Sequence, residues 1–385
     1  MFPKKFFYRV LSTAIGCLML FSLCSCGGDS GASKGTVFEN SAALTVTEFD
    51  EPVSLVPGII ESYLEADPAE SVYSYANSGS SKRLDKGEPV CIKYNFNNAD
   101  GTKTLEEKVE VSLTEDFSEI EQVLYVTTWR SSVEFYNLQT GTTYYYRVTI
   151  SLENGDVHKK SGSFETAESL RFISLDGACN VRDIGGWTTE NGKTIKHGLL
   201  YRGSEIDGGK ESGADFCLTD KGVEQLRALG IKTDFDLRSE SVKVSEYSIL
   251  GEDVSRTFYN APQYQDFFSS GNKETVRKIF SDLSNPDAYP AYLHCTHGVD
   301  RAGSTILLLE SLLGLSQEDL IRDYELSAFY YKHVDRTYAS NGILKVIEKL
   351  NSYEGENLAD KTAAFLLSVG VTEAEISSLR SIFLE

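Results

Sequence analysis

Between residues 143 and 150 the chain runs TYYYRVTI, and Tyr144, Tyr146, Val148 and Ile150 alternate with Tyr145, Arg147 and Thr149. A period of two marks a strand with one buried face. EEKVEVSLTEDFSE (106–119) and VLYVTTWRSSVEFYNL (123–138) alternate in the same way, and SGSFETAES (161–169) supplies a last short strand and an exit loop. The pattern predicts one all-β sandwich over residues 36–168. From residue 169 the pattern changes. GLLYRGS (198–204), IKTDFDLRS (231–239), SRTFYN (255–260) and AYPAYLHC (288–295) read as strands. TDKGVEQLRALG (219–230), NKETVRKIFSDL (272–283) and DRAGSTILLLESLLG (300–314) read as helices. Strands alternating with helices predict an α/β sheet covered by helices over residues 169–385. Ser316 with Asp319, and Thr372 with Glu375, mark two further helix starts. No internal repeat is visible.

The length of 385 residues suits two domains plus a leader. The leader is MFPKKFFYRVLSTAIGCLMLFSLCSC, with Lys4, Lys5 and Arg9 ahead of an apolar run from Val10 to Leu23. That run is short for a bilayer span and reads as a secretory signal peptide over residues 1–25. Its end, Leu23-Cys24-Ser25-Cys26, resembles a bacterial lipobox, in which a small residue precedes the cysteine that is lipidated. Ser25 is small and Leu23 is not, so Cys26 is the expected lipidation site. Cleavage without lipid is the plainer alternative. Residues 26–35 form a flexible tether. The expected location is therefore outside the cytoplasm, on a membrane through a lipid anchor, facing the cell surface or the periplasm.

Acidic residues outnumber basic ones, 57 to 37, for a net charge of −20. That argues against nucleic acid or an anionic membrane surface as a general partner. Any anionic substrate must be captured by a local positive site. Of the seven cysteines, Cys17, Cys24 and Cys26 fall in the leader. Cys91, Cys179, Cys217 and Cys295 show neither a disulfide framework nor metal spacing. The first three are expected to be small buried core residues; Cys295 has polar neighbours. No metal and no cofactor are expected.

Cys295 stands in HCTHGVDRAGS (294–304). An apolar strand ends at His294-Cys295, Thr296 to Asp300 form a turn, and a helix begins near Arg301. Backbone N–H groups of such a turn converge above a helix N-terminus and make an anion site from main chain alone. Dipoles that hold a phosphate also favour a thiolate. Arg301 adds a bidentate fork for two phosphate oxygens, and Gly298 allows a positive φ or close backbone approach. A thiolate there can attack phosphorus and form a cysteinyl-phosphate that water hydrolyses, with loop and arginine stabilising the transferring group. Asp300 is the nearest acid for the leaving oxygen.

HCTHGVDRAGS resembles the phosphate loop of the cysteine-dependent protein-tyrosine phosphatase superfamily. NVRDIGGW (180–187), YRGSEI (201–206) and DLRSESV (236–242) are similar, in order and spacing, to a bacterial and fungal branch with N-x-R-D-x-G-G and H-C-x-x-G-K-D-R-T-G motifs. The resemblance covers about residues 170–385. It implies a tyrosine phosphatase-like catalytic domain at 169–385, with Cys295 as nucleophile, Arg301 as phosphate clamp and Asp300 as general acid. It implies substrate contacts from Thr296, His297, Gly298, Val299, Ala302 and Gly303, and supporting or substrate-orienting roles for Arg182, Asp183 and Arg238. For these last three a structural role stands equally open: Asp183 bracing a turn, Arg238 holding a strand end by an ion pair. His294 supports the loop or tunes the thiolate, or is simply a satisfied core histidine. His158, His197 and His333 look like surface residues. Separately, Leu138-x-T-G-T followed by Tyr144 resembles the tyrosine corner of fibronectin type III and related sandwiches, which implies a spacing module or one that binds a protein or glycan. An unrelated small β domain is the alternative.

Three positions depart from the branch. Val299 replaces a lysine associated with phosphoinositide substrates. His297 replaces a small residue. Ala302 replaces the Ser or Thr that donates to the leaving thiolate; a lost hydrogen bond to a charged group is worth about 1.5–3 kcal/mol, or roughly one to two decades in rate. The leading reading is phosphomonoester hydrolysis, with phosphotyrosine peptide as substrate. The alternatives are an inositol-phosphate or phosphoinositide phosphatase, a polyphosphate or RNA 5′-triphosphatase, and a non-catalytic phosphate-binding module.

Overall fold

A computed structural model describes residues 35–76, 84–126, 131–208, 216–242, 245, 247–330, 334–337 and 342–385. The signal peptide, Cys26, most of the tether and His333 lie outside these residues. The chain divides into two compact units.

The first unit comprises residues up to Val53 together with Pro89–Ala167. Its strands are β1 (Val37–Phe38), β2 (Leu44–Val46), β3 (Val90–Phe96), β4 (Thr104–Ser112), β5 (Ile120–Val126), β6 (Ser132–Phe135), β7 (Thr143–Leu152) and β8 (Val157–Glu165). They form one sheet of order β1-β8-β7-β4-β5 and a second of order β2-β3-β6. The alternation read from the sequence is real: Tyr144, Tyr146, Val148 and Ile150 of β7 are buried, as are Val90, Ile92 and Tyr94 of β3. Tyr144 Oη accepts the backbone N–H of Gln139 at 3.0 Å, closing the turn before β7.

The second unit comprises Ser54–Glu88 and Glu168–Glu385. The uninterrupted β domain expected over 36–168 is therefore corrected. Residues 54–88 carry α1 (Gly58–Leu64) and α2 (Tyr73–Ala76), and Val56, Ile60, Tyr63, Val72 and Ala76 are buried in the core of the second unit. Ile60 and Tyr63 stand three apart on one helix face, a helical rather than a strand pattern.

The sheet of this unit has the order β12-β11-β13-β10-β9, from β9 (Arg182–Asp183), β10 (Leu200–Gly203), β11 (Thr233–Asp236), β12 (Ser255–Phe258) and β13 (Ala291–His294). Only the β9–β10 pair is antiparallel. Four of the predicted helices come first: α3 (Asp220–Ala228), α4 (Lys273–Leu283), α5 (Asp300–Leu313) and α6 (Gln317–Glu325). They are followed by α7 (Ile343–Leu350), α8 (Leu358–Ser368) and α9 (Glu373–Phe383). Ser316 accepts from the N–H of Asp319, and Thr372 and Glu375 form a capping box.

Strand β13 is buried along its whole length at the centre of the sheet. It feeds α5, which is buried from Ala302 to Leu313 and ends at Gly314 with φ 98°. Ile306, Leu307, Leu308, Leu309, Leu312 and Leu313 are at most 2% exposed. Each such burial stabilises by about 1.5–3 kcal/mol. The turn between β13 and α5 is thus held at both ends by core packing, at the carboxyl edge of the parallel strands where α/β proteins bind ligands.

Candidate active site

Strand β13 pairs with β10 and β11 in one register: Gly203 and Asp236 both face His294. The segments that leave these strands flank the turn, and the N–H of Glu205 donates to Thr296 O at 3.1 Å. Cys295 lies at the start of the turn, 2% exposed. Gly298 has φ 70°, and a Cβ there would sit 2.4 Å from Gly203 O, so positive φ and close approach both exclude a side chain. Val299 precedes α5, and Asp300 and Arg301 form its first turn. Arg301 Nη2 donates to Thr296 Oγ1 at 3.2 Å. Asp300 Oδ1 accepts from Tyr264 Oη, which also meets Tyr324 Oη at 2.7 Å. Burial, with Tyr324 and Asp300 beside it, pushes the Tyr264 pKa up, so its hydroxyl stays protonated and donates to Asp300 Oδ1.

At several of the expected substrate-contact positions the side chain is packed in the core. The side chains of Val299 and Ala302 face the apolar core that also contains Cys295. A lysine at 299 would have to bury an ammonium there, which is costly without a partner. The apolar residue is thus explained by packing and says little about substrate. Ala302 brings no hydroxyl beside the thiol, and Ser304 does not replace it: its Oγ donates to Asp300 O at 2.7 Å and accepts from Tyr264 N at 2.8 Å. A Cβ at Gly303 would stand 3.0 Å from Tyr324, so this glycine allows close helix packing.

Arg182, Asp183 and Arg238 are each at most 2% exposed and act as braces. Asp183 accepts the N–H of Gly185 at 2.9 Å and of Gly198 at 2.6 Å. Arg238 binds Glu205 at 2.5 Å and both Asp207 and Asp236 at 2.7 Å, and Arg256 joins Asp207 and Asp236. Arg182 binds Asp323 at 3.0 Å. His294 is fully buried, with Nε2 2.9 Å from Asp234 Oδ1. Burial pushes its pKa down, but Asp236 and Asp234 outweigh that and hold it above the ordinary value. Of the two readings open for Arg182, Asp183 and Arg238, these contacts are the structural ones: Asp183 braces a turn, and Arg182 and Arg238 are held in buried ion pairs.

Residues not singled out by sequence form the floor under the turn. Asn180 Nδ2 donates to the carbonyls of His297 and Gly298, each at 3.2 Å. Arg202 Nη2 donates to Gly298 O at 2.8 Å, and Nη1 to Asp323 at 2.7 Å. Burial and the neighbouring Arg182 push the Arg202 pKa down to about 10, against the pull of Asp323, Glu310 and Cys295. Burial would push Asp323 up, yet Arg182 and Arg202 hold it below the usual carboxylate value. Asn180 and Arg202 sit inside the NVRDIGGW and YRGSEI stretches; Tyr264 and Asp323 carry no sequence signal.

Glu310, fully buried, has no hydrogen-bond partner for either oxygen among the described residues. Burial and the nearby Asp323 push its pKa well up, so the folded protein holds a neutral carboxyl. The folded state then binds one more proton than the unfolded chain above pH ~4.3. Stability on this account is full below that pH and falls as pH rises toward the folded value. Glu310→Gln is expected to raise the melting temperature at pH 8 and to leave it unchanged at pH 4. A lower melting temperature at pH 8, measured by calorimetry, would show a working carboxylate instead.

At the rim, His297 Nδ1 lies 3.2 Å from Tyr330 Oη, and the Phe216 ring meets the imidazole edge-on at 5.8 Å between centroids. Burial and Arg301 hold the His297 pKa below its ordinary value. Cys217 is exposed and Cys91 half-buried, so only Cys179 of the three expected core cysteines is buried. Among the described residues no group of three or more His, Cys, Asp or Glu is placed to hold a metal ion.

A phosphatase-like α/β domain, with a cysteine at the end of its central parallel strand, is the class that this unit defines. The chain belongs to the tyrosine phosphatase family, which matches residues 173–385. It is 25% identical over 183 residues to a Cupriavidus necator protein named as a tyrosine-protein phosphatase, covering 40% of this chain and 61% of that one. It is also 25% identical over 134 residues to the tyrosine-protein phosphatase of Nostoc commune, covering 29% of this chain and 46% of that one. The chain thus spans about half the length of these curated relatives. A crystal structure of the core catalytic domain of a PP-IP phosphatase from S. cerevisiae aligns with TM-score 0.24 and 16% identity, over 43% of this chain and 95% of that one.

Proposed function

We propose that the chain hydrolyses phosphomonoesters through a cysteinyl-phosphate intermediate and acts on phosphotyrosine in proteins or peptides. The observation that carries this reading is the turn from Cys295 to Arg301, whose carbonyls are drawn down by Asn180 and Arg202. The Cys295 thiolate attacks phosphorus, forming the S–P bond as the P–O bond to the leaving group breaks. Asp300 gives its proton to the leaving oxygen. Water then attacks phosphorus, Asp300 takes a proton from it, and phosphate and thiolate are released. Arg301 and the turn's N–H groups stabilise the oxygens of the transferring group. The aromatic rim of His297, Phe216 and Tyr330 supports an aromatic ester, because rings stack on a phenyl leaving group.

The first unit is proposed to be a fibronectin type III-like sandwich, supported by the Tyr144–Gln139 bond at its corner, with a protein or glycan as partner. Export and lipidation at Cys26 are proposed from the leader alone.

Purified protein mixed rapidly with p-nitrophenyl phosphate is expected to release a burst of nitrophenolate equal to the enzyme, then a slower steady phase. With Ala302 in place of a hydroxyl, breakdown of the phosphoenzyme is the slow step, since a thiolate without that hydrogen bond is a poorer leaving group. Phosphotyrosine peptides are expected to turn over faster than phosphoserine peptides or inositol hexakisphosphate. Preference for inositol hexakisphosphate would replace the substrate. No turnover above a buffer blank would leave a phosphate-binding module.

A further inference from the structure

The family match begins at residue 173, yet residues 54–88 are built into the same unit. Val56, Ile60 and Tyr63 share one buried cluster with Cys295, Val299 and Ala302. Tyr63 Oη donates to Glu325 at 2.6 Å. Arg322 donates to the carbonyls of Tyr63, Leu64 and Ala66.

The segment also reaches the turn itself. Asp85 is 2% exposed, and its Oδ2 accepts the backbone N–H of Asn180 at 2.7 Å. Asn180 adopts φ 55°, a conformation that non-glycine residues keep only when their surroundings hold it. Its side chain is held as well, since Oδ1 accepts from Arg182 Nη1 at 2.8 Å. Fixed in this way, Nδ2 takes the carbonyls of His297 and Gly298. In a planar trans peptide the carbonyl of one residue and the N–H of the next point in opposite directions. Drawing those two carbonyls toward Asn180 therefore turns the N–H groups of Gly298 and Val299 the other way, into the cradle of the turn.

We infer that residues 54–76 and 84–88 are a working part of the phosphatase unit, and that Asp85 is a positioning residue that aims the Gly298 and Val299 N–H groups at the phosphate through Asn180. This rests on the phosphatase reading above. It adds a residue from a segment that lies before the family match and is separated from it by the strands of the first unit.

The test uses the full chain carrying Asp85→Ala or Asp85→Asn. Three quantities are read beside the melting temperature: kcat and KM on p-nitrophenyl phosphate, the inhibition constant of inorganic phosphate, and the rate of Cys295 alkylation by iodoacetamide at fixed pH, resolved by peptide mass spectrometry. Asp85→Ala is expected to lower kcat/KM by roughly ten- to a hundred-fold, the scale of a slightly misplaced catalytic group. It should weaken phosphate inhibition by a similar factor and slow Cys295 alkylation, because the thiolate loses the same N–H groups. Asp85→Asn keeps an acceptor for Asn180 N and is expected to recover most of each loss. A lower melting temperature with all three quantities unchanged would overturn the inference and leave Asp85 a purely structural residue. Should Asp85→Ala not fold, Asp85→Glu carries the test, since it displaces the carboxylate by one methylene: the same losses in smaller measure support the inference, and wild-type values overturn it. If wild-type protein turns nothing over, the phosphatase reading fails, while phosphate binding and Cys295 alkylation still decide the role of Asp85.

Discussion

Cys295→Ser is expected to lower turnover of an aryl phosphate by about 10⁶-fold, the scale on which removal of a lone nucleophile acts. A serine hydroxyl is a far weaker nucleophile at neutral pH than a cysteine thiolate. The substitution exchanges one buried atom for a smaller one at the end of β13, in a core that also holds Val299 and Ala302. The fold is therefore expected to survive, and phosphate still to bind. A melting curve and a phosphate titration separate loss of chemistry from loss of structure. Turnover within tenfold of wild type in Cys295→Ser would remove Cys295 from the mechanism.

The second large effect is expected at Arg301. Arg301→Lys keeps the charge but loses the planar fork that matches two phosphate oxygens at once. Arginine clamps on a transferring phosphoryl group are worth about 10³-fold or more, and kcat/KM is expected to fall on that order. Because the fork serves the transition state more than bound substrate, kcat should fall further than KM rises. Arg301 also holds Thr296 Oγ1 across the turn, so some loss of phosphate affinity accompanies it. A variant that raised KM alone, with kcat intact, would make Arg301 a ground-state anchor rather than a clamp.

Much of the second unit was legible before its structure. AYLH, the turn after it and the largely apolar run to Leu313 follow each other as strand, loop and helix because both elements are buried on nearly every side. The caps at Ser316 and Thr372 were legible because their partners stand three residues away. Arg182, Asp183 and Arg238 were legible only as two open readings: Glu205 and Asp236 stand in the motifs beside them, but Asp207 and Asp323, which complete the buried pairs, do not. Asp323 meets Arg182 across 141 residues of chain. The same holds for residues 54–88, whose short helix finds its partners in Glu325 and Arg322, more than 250 residues away.

Local order along the chain determined the turn on which the proposed chemistry rests: a cysteine, a glycine and an arginine within seven residues, between a buried strand and a buried helix. Tertiary structure decided what stands beneath that loop. It closed buried pairs around Arg182 and Arg238, set Val299 and Ala302 into the core, joined Tyr264 to Asp300, and brought Asp85 and Asn180 together under the turn. The difference has one physical cause. Hydrogen bonding and hydrophobic period act over a few residues and leave their mark on the sequence, whereas the pairing of a buried charge is settled by whichever partner the packed fold brings within about 3 Å of it.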